Sequence, residues 1–345
     1  CTLYANTTGA YNVGVGYEAL RDNTCGAYNT AVGVYALRVN TTSICNASFG
    51  YASMFANTTG SCNAVFGHGA MYGNTTGNSH AAFGWKALFS NTTASYNTAF
   101  GPGALCGNTT GVCNDASGFN TMRNNTTGHC NTAHGMEALY ANTTASGNTS
   151  VGMRSLANNT TAVFNTAVGA CALYDNTTGA KNTTSGAYAL RTNTTGCRNV
   201  ALGYDSLGLN TTGCRNVSVG VSSMQCNTTG SHNTASGHYS LRFNTTGSHN
   251  TALGTCALHS TTTGQNNIAV GSCALVANTT ASANTSVGFR SLYSNTTGAA
   301  NTASGYYALK ANTTGPNNTA VGYYALCANT TGTSNTAIGH NVLKT

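Results

Sequence analysis

Charge is what this sequence holds least of: 345 residues include 13 Lys or Arg and 6 Asp or Glu, for a net charge of +7. Low charge alone fits either a disordered chain or a core-rich globule, and the strictly periodic apolar sites described below exclude the first. No apolar run approaches the ~18–20 residues of a membrane helix, which excludes a helical span. A signal-peptide pattern is missing at the start, and no linker, charge block or change of composition divides the chain. It therefore reads as one continuous domain over residues 1–345.

What is present is a repeat. Asn-Thr-Thr or a close variant starts at residue 6 and returns every 17 residues to 329, giving twenty starts. A partial unit (1–5) precedes twenty full units (6–345), and no atypical unit caps the array. Solenoids need caps or neighbours over their ends, so the chain reads as a window of a longer polymer or a subunit that stacks end to end.

Numbered from its first Asn, the unit has several fixed positions. Position 11 is Gly in every unit (Gly16, Gly33 and onward to Gly339), so a Cβ is excluded there by a positive φ or a close backbone approach. Position 15 is Leu in sixteen units and Met in four, as in Leu20, Leu37, Leu88, Leu156, Leu173 and Leu309, which marks the apolar interior. Positions 9 and 14 stay small. Seventeen residues are too few for a helix pair, and Asn-Thr-Thr-Gly would break one. They suit one coil of a parallel β-solenoid, with two or three short strands joined by tight turns. Twenty coils stacked at ~4.8 Å would form a rod on the order of 95 Å long.

Position 1 is Asn in nineteen units (Thr261 in the other) and position 7 is Asn in nineteen (His80 in the other). Identical amides at the coil spacing can form hydrogen-bonded ladders, which is sufficient reason for position 7. Position 1 also reads as an Asn-x-Ser/Thr glycosylation acceptor. A ladder alone would fix all three letters of Asn-Thr-Thr, but two details favour the glycan. The third residue of the Asn23 triplet is Cys25, the other residue that can serve there. An aromatic ring also stands two residues before the Asn in seven places, among them Tyr4, Phe55 and Tyr72, where it could pack on the first sugar. N-glycans are therefore expected on Asn6, Asn23, Asn40, Asn57, Asn74, Asn91, Asn108, Asn125, Asn142, Asn159, Asn176, Asn193, Asn210, Asn227, Asn244, Asn278, Asn295, Asn312 and Asn329.

Of 14 cysteines, four pairs are one period apart: Cys45/Cys62, Cys113/Cys130, Cys197/Cys214 and Cys256/Cys273. One coil step brings paired Cα atoms inside the disulfide window, so these read as inter-coil disulfides formed in an oxidising compartment. The basic residues occupy only positions 6, 13 and 16, which must face outward. One line of them, Lys181, Arg198, Arg215, His232 and His249, climbs five successive coils. It suits an acidic polysaccharide better than a nucleic acid.

No catalytic or metal constellation is found. The acids Glu18, Asp22, Asp115, Glu137, Asp175 and Asp205 lie in different units and read as solvated surface charge. His129, Cys130 and His134 could ligate a metal, but Cys130 has Cys113 as its partner. Positions 8 and 10 share one side of a strand, opposite 9 and 11. We assign 8 and 10 to a lateral face that meets another chain or a glycan layer, since an interior would not accept His134 or Asp115 unpartnered. The competing assignment puts them inside, with Phe49, Phe66, Phe83 and Phe100 as a buried stack.

The string Asn-Thr-Ala-Val-Gly-Tyr-x-Ala-Leu at 318–326 resembles the head repeats of trimeric autotransporter adhesins and similar arrays in tail-fibre-like proteins. That resemblance implies narrow β-rolls, often three side by side, serving as surface stalks or adhesive heads. The combined expectation is an all-β parallel solenoid acting as the structural subunit of an extracellular or cell-surface, N-glycosylated filament. It would assemble end to end and side by side, with no enzyme activity and no cofactor beyond covalent glycans, and with neither nucleic acid nor membrane as partner. An adhesin or tail-fibre-like stalk that binds glycans is the alternative. An ice-binding rod is disfavoured, because the adjacent Thr residues at 2 and 3 would point in opposite directions.

Overall fold

The structure is a computed structural model that describes residues 1–343, in two compact units, Cys1–Cys171 and Ala172–Thr345. The first unit carries ten strands, from β1 (Val13–Val15) to β10 (Thr166–Val168), and the second ten more, from β11 (Thr183–Ser185) to β20 (Thr336–Ile338). Within each unit every strand pairs in parallel with the next, offset by one repeat: Val13 faces Thr30, Gly14 faces Ala31 and Val15 faces Val32. This is a parallel β-solenoid in which one 17-residue repeat makes one coil.

Each coil holds a single three-residue strand, at positions 8 to 10, where two or three had been expected. The reason lies in three residues per coil that adopt left-handed backbone geometry. In the second full coil they are Tyr28 (φ 59°), Tyr35 (φ 62°) and Leu37 (φ 48°), at positions 6, 13 and 15. Each turns the chain through a corner, so no extended run survives elsewhere. The ladder between coils nevertheless continues past the strands. The Tyr35 N–H donates back to the Tyr17 carbonyl at 2.9 Å, and the Leu37 N–H donates forward to the Ser53 carbonyl at 3.0 Å.

Left-handed geometry costs an L-residue about 1–2 kcal/mol. At position 15 burial outweighs that cost, since enclosing a Leu side chain contributes about 1.5–3 kcal/mol. Leu20, Leu37, Leu88, Leu156, Leu173 and Leu309 are all 0% exposed. Small residues at positions 9 and 14, such as Ala31 and Ala36, fill the remaining interior.

Position 11 must be Gly for both expected reasons. Gly16 has φ +125°, and a Cβ there would lie 2.6 Å from the Gly33 carbonyl oxygen of the next coil. Among the described residues no helix is long and apolar enough to cross a membrane.

Candidate functional site: ladders inside, columns outside

The Asn-Thr-Thr triplet builds the joint between coils. Asn40 Nδ2 donates to Asn23 Oδ1 of the coil before at 2.7 Å, and Asn57 Nδ2 donates both to Asn40 Oδ1 at 3.0 Å and to the Gly60 carbonyl at 2.9 Å. Position 7 forms a second ladder: the Asn46 N–H donates to Asn29 Oδ1 at 3.0 Å, and Asn46 Nδ2 reaches the Gly60 carbonyl at 2.9 Å. The carbonyl at position 4 therefore accepts from both ladders at once. Thr at position 2 has its own role. The Thr41 carbonyl accepts the Thr24 N–H at 3.0 Å, the Thr24 hydroxyl at 3.1 Å and the Gly26 N–H at 3.2 Å.

This geometry shows what the position-1 asparagines do in the coil. From Asn23 through Asn312 every position-1 Asn is 0% exposed, and Asn6 and Asn329 are half-buried with Nδ2 bonded to the Gly9 and Gly332 carbonyls. A sugar on Nδ2 would remove one of two hydrogen bonds and place a pyranose where even a Cβ is crowded. At Gly60 a Cβ would already lie 2.5 Å from Asn57 Oδ1. N-glycans on this column would require each Nδ2 to leave its ladder.

The disulfide expectation is corrected. Cys45, Cys62, Cys113, Cys130, Cys197, Cys214, Cys256 and Cys273 are all free thiols. Stacking in register gives paired residues parallel Cα–Cβ vectors about one coil step apart, whereas a disulfide needs Cβ atoms converged to roughly 3.5–4.5 Å. Cys197 and Cys214 come nearest, with Sγ atoms 2.8 Å apart; that contact, followed by burial, pushes the Cys197 thiol above its usual pKa. Cys214 also serves the backbone, because its sulfur accepts the Cys197 N–H at 3.0 Å. Ser at position 5 does the same elsewhere, as when Ser231 Oγ accepts the Cys214 N–H at 3.0 Å. The recurrence of Ser, Asn and Cys at position 5 could have signalled this third ladder from sequence.

His80, the exception in the position-7 column, imitates Asn. Its Nε2 donates to the Ala94 carbonyl at 2.7 Å and its Nδ1 accepts the Asn97 N–H at 3.1 Å, which fixes the neutral Nε2–H tautomer. Burial holds its pKa below the usual value, against the opposing pull of the Ala94 and Asn97 backbone.

Outside, like residues stand in columns. Positions 8 and 10 face outward while position 9 is buried, so the interior-stack alternative is ruled out. Phe49, Phe66, Phe83 and Phe100 stack with ring centroids 4.6, 4.8 and 4.7 Å apart, and Phe66 and Phe100 remain 37% and 44% exposed. Because the rings lie face to face, they present their edges to solvent.

Most of the acids pair with a neighbour rather than standing free in water. Glu18 meets Arg38 at 2.6 Å and Arg21 at 3.1 Å, Asp22 meets Arg21 at 2.7 Å, Glu137 meets Arg154 at 2.7 Å and Asp115 meets His134 at 3.4 Å. Burial raises the Glu18 carboxyl pKa, but Arg38 and Arg21 together bring it below its usual value. Among the described residues no three of His, Cys, Asp and Glu gather to hold a metal, and His129, Cys130 and His134 do not converge. No protein-family profile matches the chain, and no curated protein matches it in sequence.

Proposed function

We propose that this chain is a structural subunit of an extracellular or cell-surface filament, non-catalytic and without a cofactor, which extends by adding coil to coil. The observation that carries the reading is the pair of buried Asn ladders. Nearly every repeat devotes two amide side chains and a Thr hydroxyl to the joint with its neighbours, and none to a cleft. The joint is heterologous, since donors on one coil face meet acceptors on the opposite face of the next, and such contacts extend as open filaments unless rotation closes them. A surface position is supported by the likeness to adhesin head repeats, now without help from glycans or disulfides. The outward column of Val and Phe at position 10 supports side-by-side packing, as an exposed apolar stripe usually marks a contact surface.

Electron microscopy of the purified chain over a range of concentrations tests the reading. Unbranched filaments that lengthen with concentration are expected, and a population of single particles at every concentration would contradict it. The adhesive-stalk reading is favoured by one feature only, a line of cations in the second unit.

A further inference from the structure

Position 6 changes character once along the chain. In the second unit it is Lys181, Arg198, Arg215, His232 and His249 in five consecutive coils, and every other described position 6 is uncharged. All five are exposed, on left-handed backbone (φ 57° to 63°) that turns them out of the coil. They stand in register. The His232 and His249 rings stack at 5.0 Å and 4°, and the Arg215 guanidinium donates to His232 Nε2 at 3.0 Å. Among the described residues none of the five has a carboxylate partner. Lys181, Arg198 and Arg215 put three fixed charges on successive coils, well inside the ~8 Å screening length at physiological ionic strength, so this part of the column is a linear positive field awaiting counter-charge, continued by the His232 and His249 rings as hydrogen-bonding groups.

We propose that this column docks a linear polyuronate, a chain of 1,4-linked uronic acids with one carboxylate per residue. This goes beyond the structural reading and does not depend on it. Three observations select the ligand. The column advances by one coil, about 4.8 Å, per step, so its five side chains span about 19 Å and the three fixed charges about 10 Å. A uronic acid chain advances by a similar step per sugar and, with neighbouring sugars turned over, can set alternate carboxylates against the column, opposite Lys181 and Arg215. Beside the cations runs the position-3 column, Thr178, Thr195, Thr212, Thr229 and Thr246, all exposed. Its hydroxyls repeat at the same step and match the hydroxyls of the sugar. Single-stranded nucleic acid would instead need aromatic platforms for its bases. The residues flanking the column at position 5 are Ala180, Cys197, Cys214, Ser231 and Ser248, which offer none.

The test is calorimetric titration of the full chain with sodium polygalacturonate oligomers long enough to span five coils. The K181N/R198N/R215N variant is compared with an R191Q/R242Q/K310Q variant, which loses the same charge from position 16. Asn suits the left-handed backbone, and unchanged thermal midpoints show that both variants fold. The position-6 variant should bind about tenfold more weakly at moderate salt and the position-16 variant within about twofold of the parent. The fully methyl-esterified polymer should not bind. Equal losses in both variants, binding of the esterified polymer or no binding by the parent would each overturn the proposal. So would tighter binding of single-stranded DNA of equal charge, which would reassign the column to nucleic acid.

Discussion

Asn244 Oδ1 is buried and has no hydrogen-bond partner, because the coil that follows carries Thr261 where every other coil carries Asn. The ladder resumes one step later in weakened form, with Asn278 Nδ2 donating to Thr261 Oγ1 at 3.3 Å. An unsatisfied buried acceptor costs about 1–3 kcal/mol. Thr261→Asn should therefore stabilise the second unit by about 1–2 kcal/mol. Hydrogen exchange at the Asn244 and Asn278 coils checks it, with slower exchange expected and unchanged or faster exchange contradicting it. A local readout is preferable here, since arrays of repeats need not unfold in one step.

His80 makes stability depend on pH in a direction that can be worked out. Its folded pKa is depressed, so as pH falls through about 6.5 the unfolded chain takes up the proton first. Stability is complete above that pH, declines as pH falls toward the folded value and levels off below it. Protonation would also turn Nδ1 into a donor facing the Asn97 N–H. His80→Asn should remove most of this slope in thermal midpoints measured between about pH 7.5 and 5. A residual slope of the same sign belongs to His259, whose pKa is lowered by burial and by Arg242. Identical pH profiles for parent and variant would contradict the assignment.

Two glycines separate backbone geometry from crowding. Gly220 has φ +132° and a Cβ there would lie 2.6 Å from the Gly237 carbonyl oxygen, whereas Gly69 has φ +64° and its nearest obstacle is the Phe89 ring at 3.6 Å. Gly69→Ala should cost about 1 kcal/mol, the left-handed penalty alone. Gly220→Ala should cost several times more, since two backbones must part. Comparable denaturation midpoints for the two variants would show that coil-to-coil contact at position 11 is looser than described.

Much of this coil could be read from residues alone. The period, the Gly at 11, the Leu at 15 and the outward turn of 8 and 10 follow from which letters repeat and which wander. The left-handed Leu37 could not be foreseen, because propensity assigns that geometry to Gly, and only enclosure of the side chain explains why Leu holds it. Scattered hints existed at the other two corners: Gly147, Asn266 and Asn317 at position 6, and Gly69, Gly103 and Asn120 at position 13. The Asn-Thr-Thr column was ambiguous because a glycosylation acceptor and a buried ladder use the same residues, and spacing does not reveal which way a side chain points. Cysteine spacing likewise places two thiols in one column without showing whether their Cβ atoms converge.

Edge-on phenylalanines give a further expectation. If the position-10 face packs against a second copy, replacing Phe66 and Phe83 with Glu should abolish concentration-dependent lateral association and leave the single coil stack folded. Breaking three ring stacks should cost about 0.5–1.5 kcal/mol each. Sedimentation velocity together with circular dichroism reads both effects. Lateral association that survives in the variant would move the contact to another face.

The central claim is that the Asn of Asn-Thr-Thr is an internal rung, and a cryo-electron-microscopy map of the assembled chain at side-chain resolution tests it most directly. The account predicts coils about 4.8 Å apart, with the Asn57 amide enclosed between Asn40 and Asn74 and no density beyond its Nδ2. Branched density leaving Asn57 into solvent would contradict it, and would mean that the coil turns its asparagines outward.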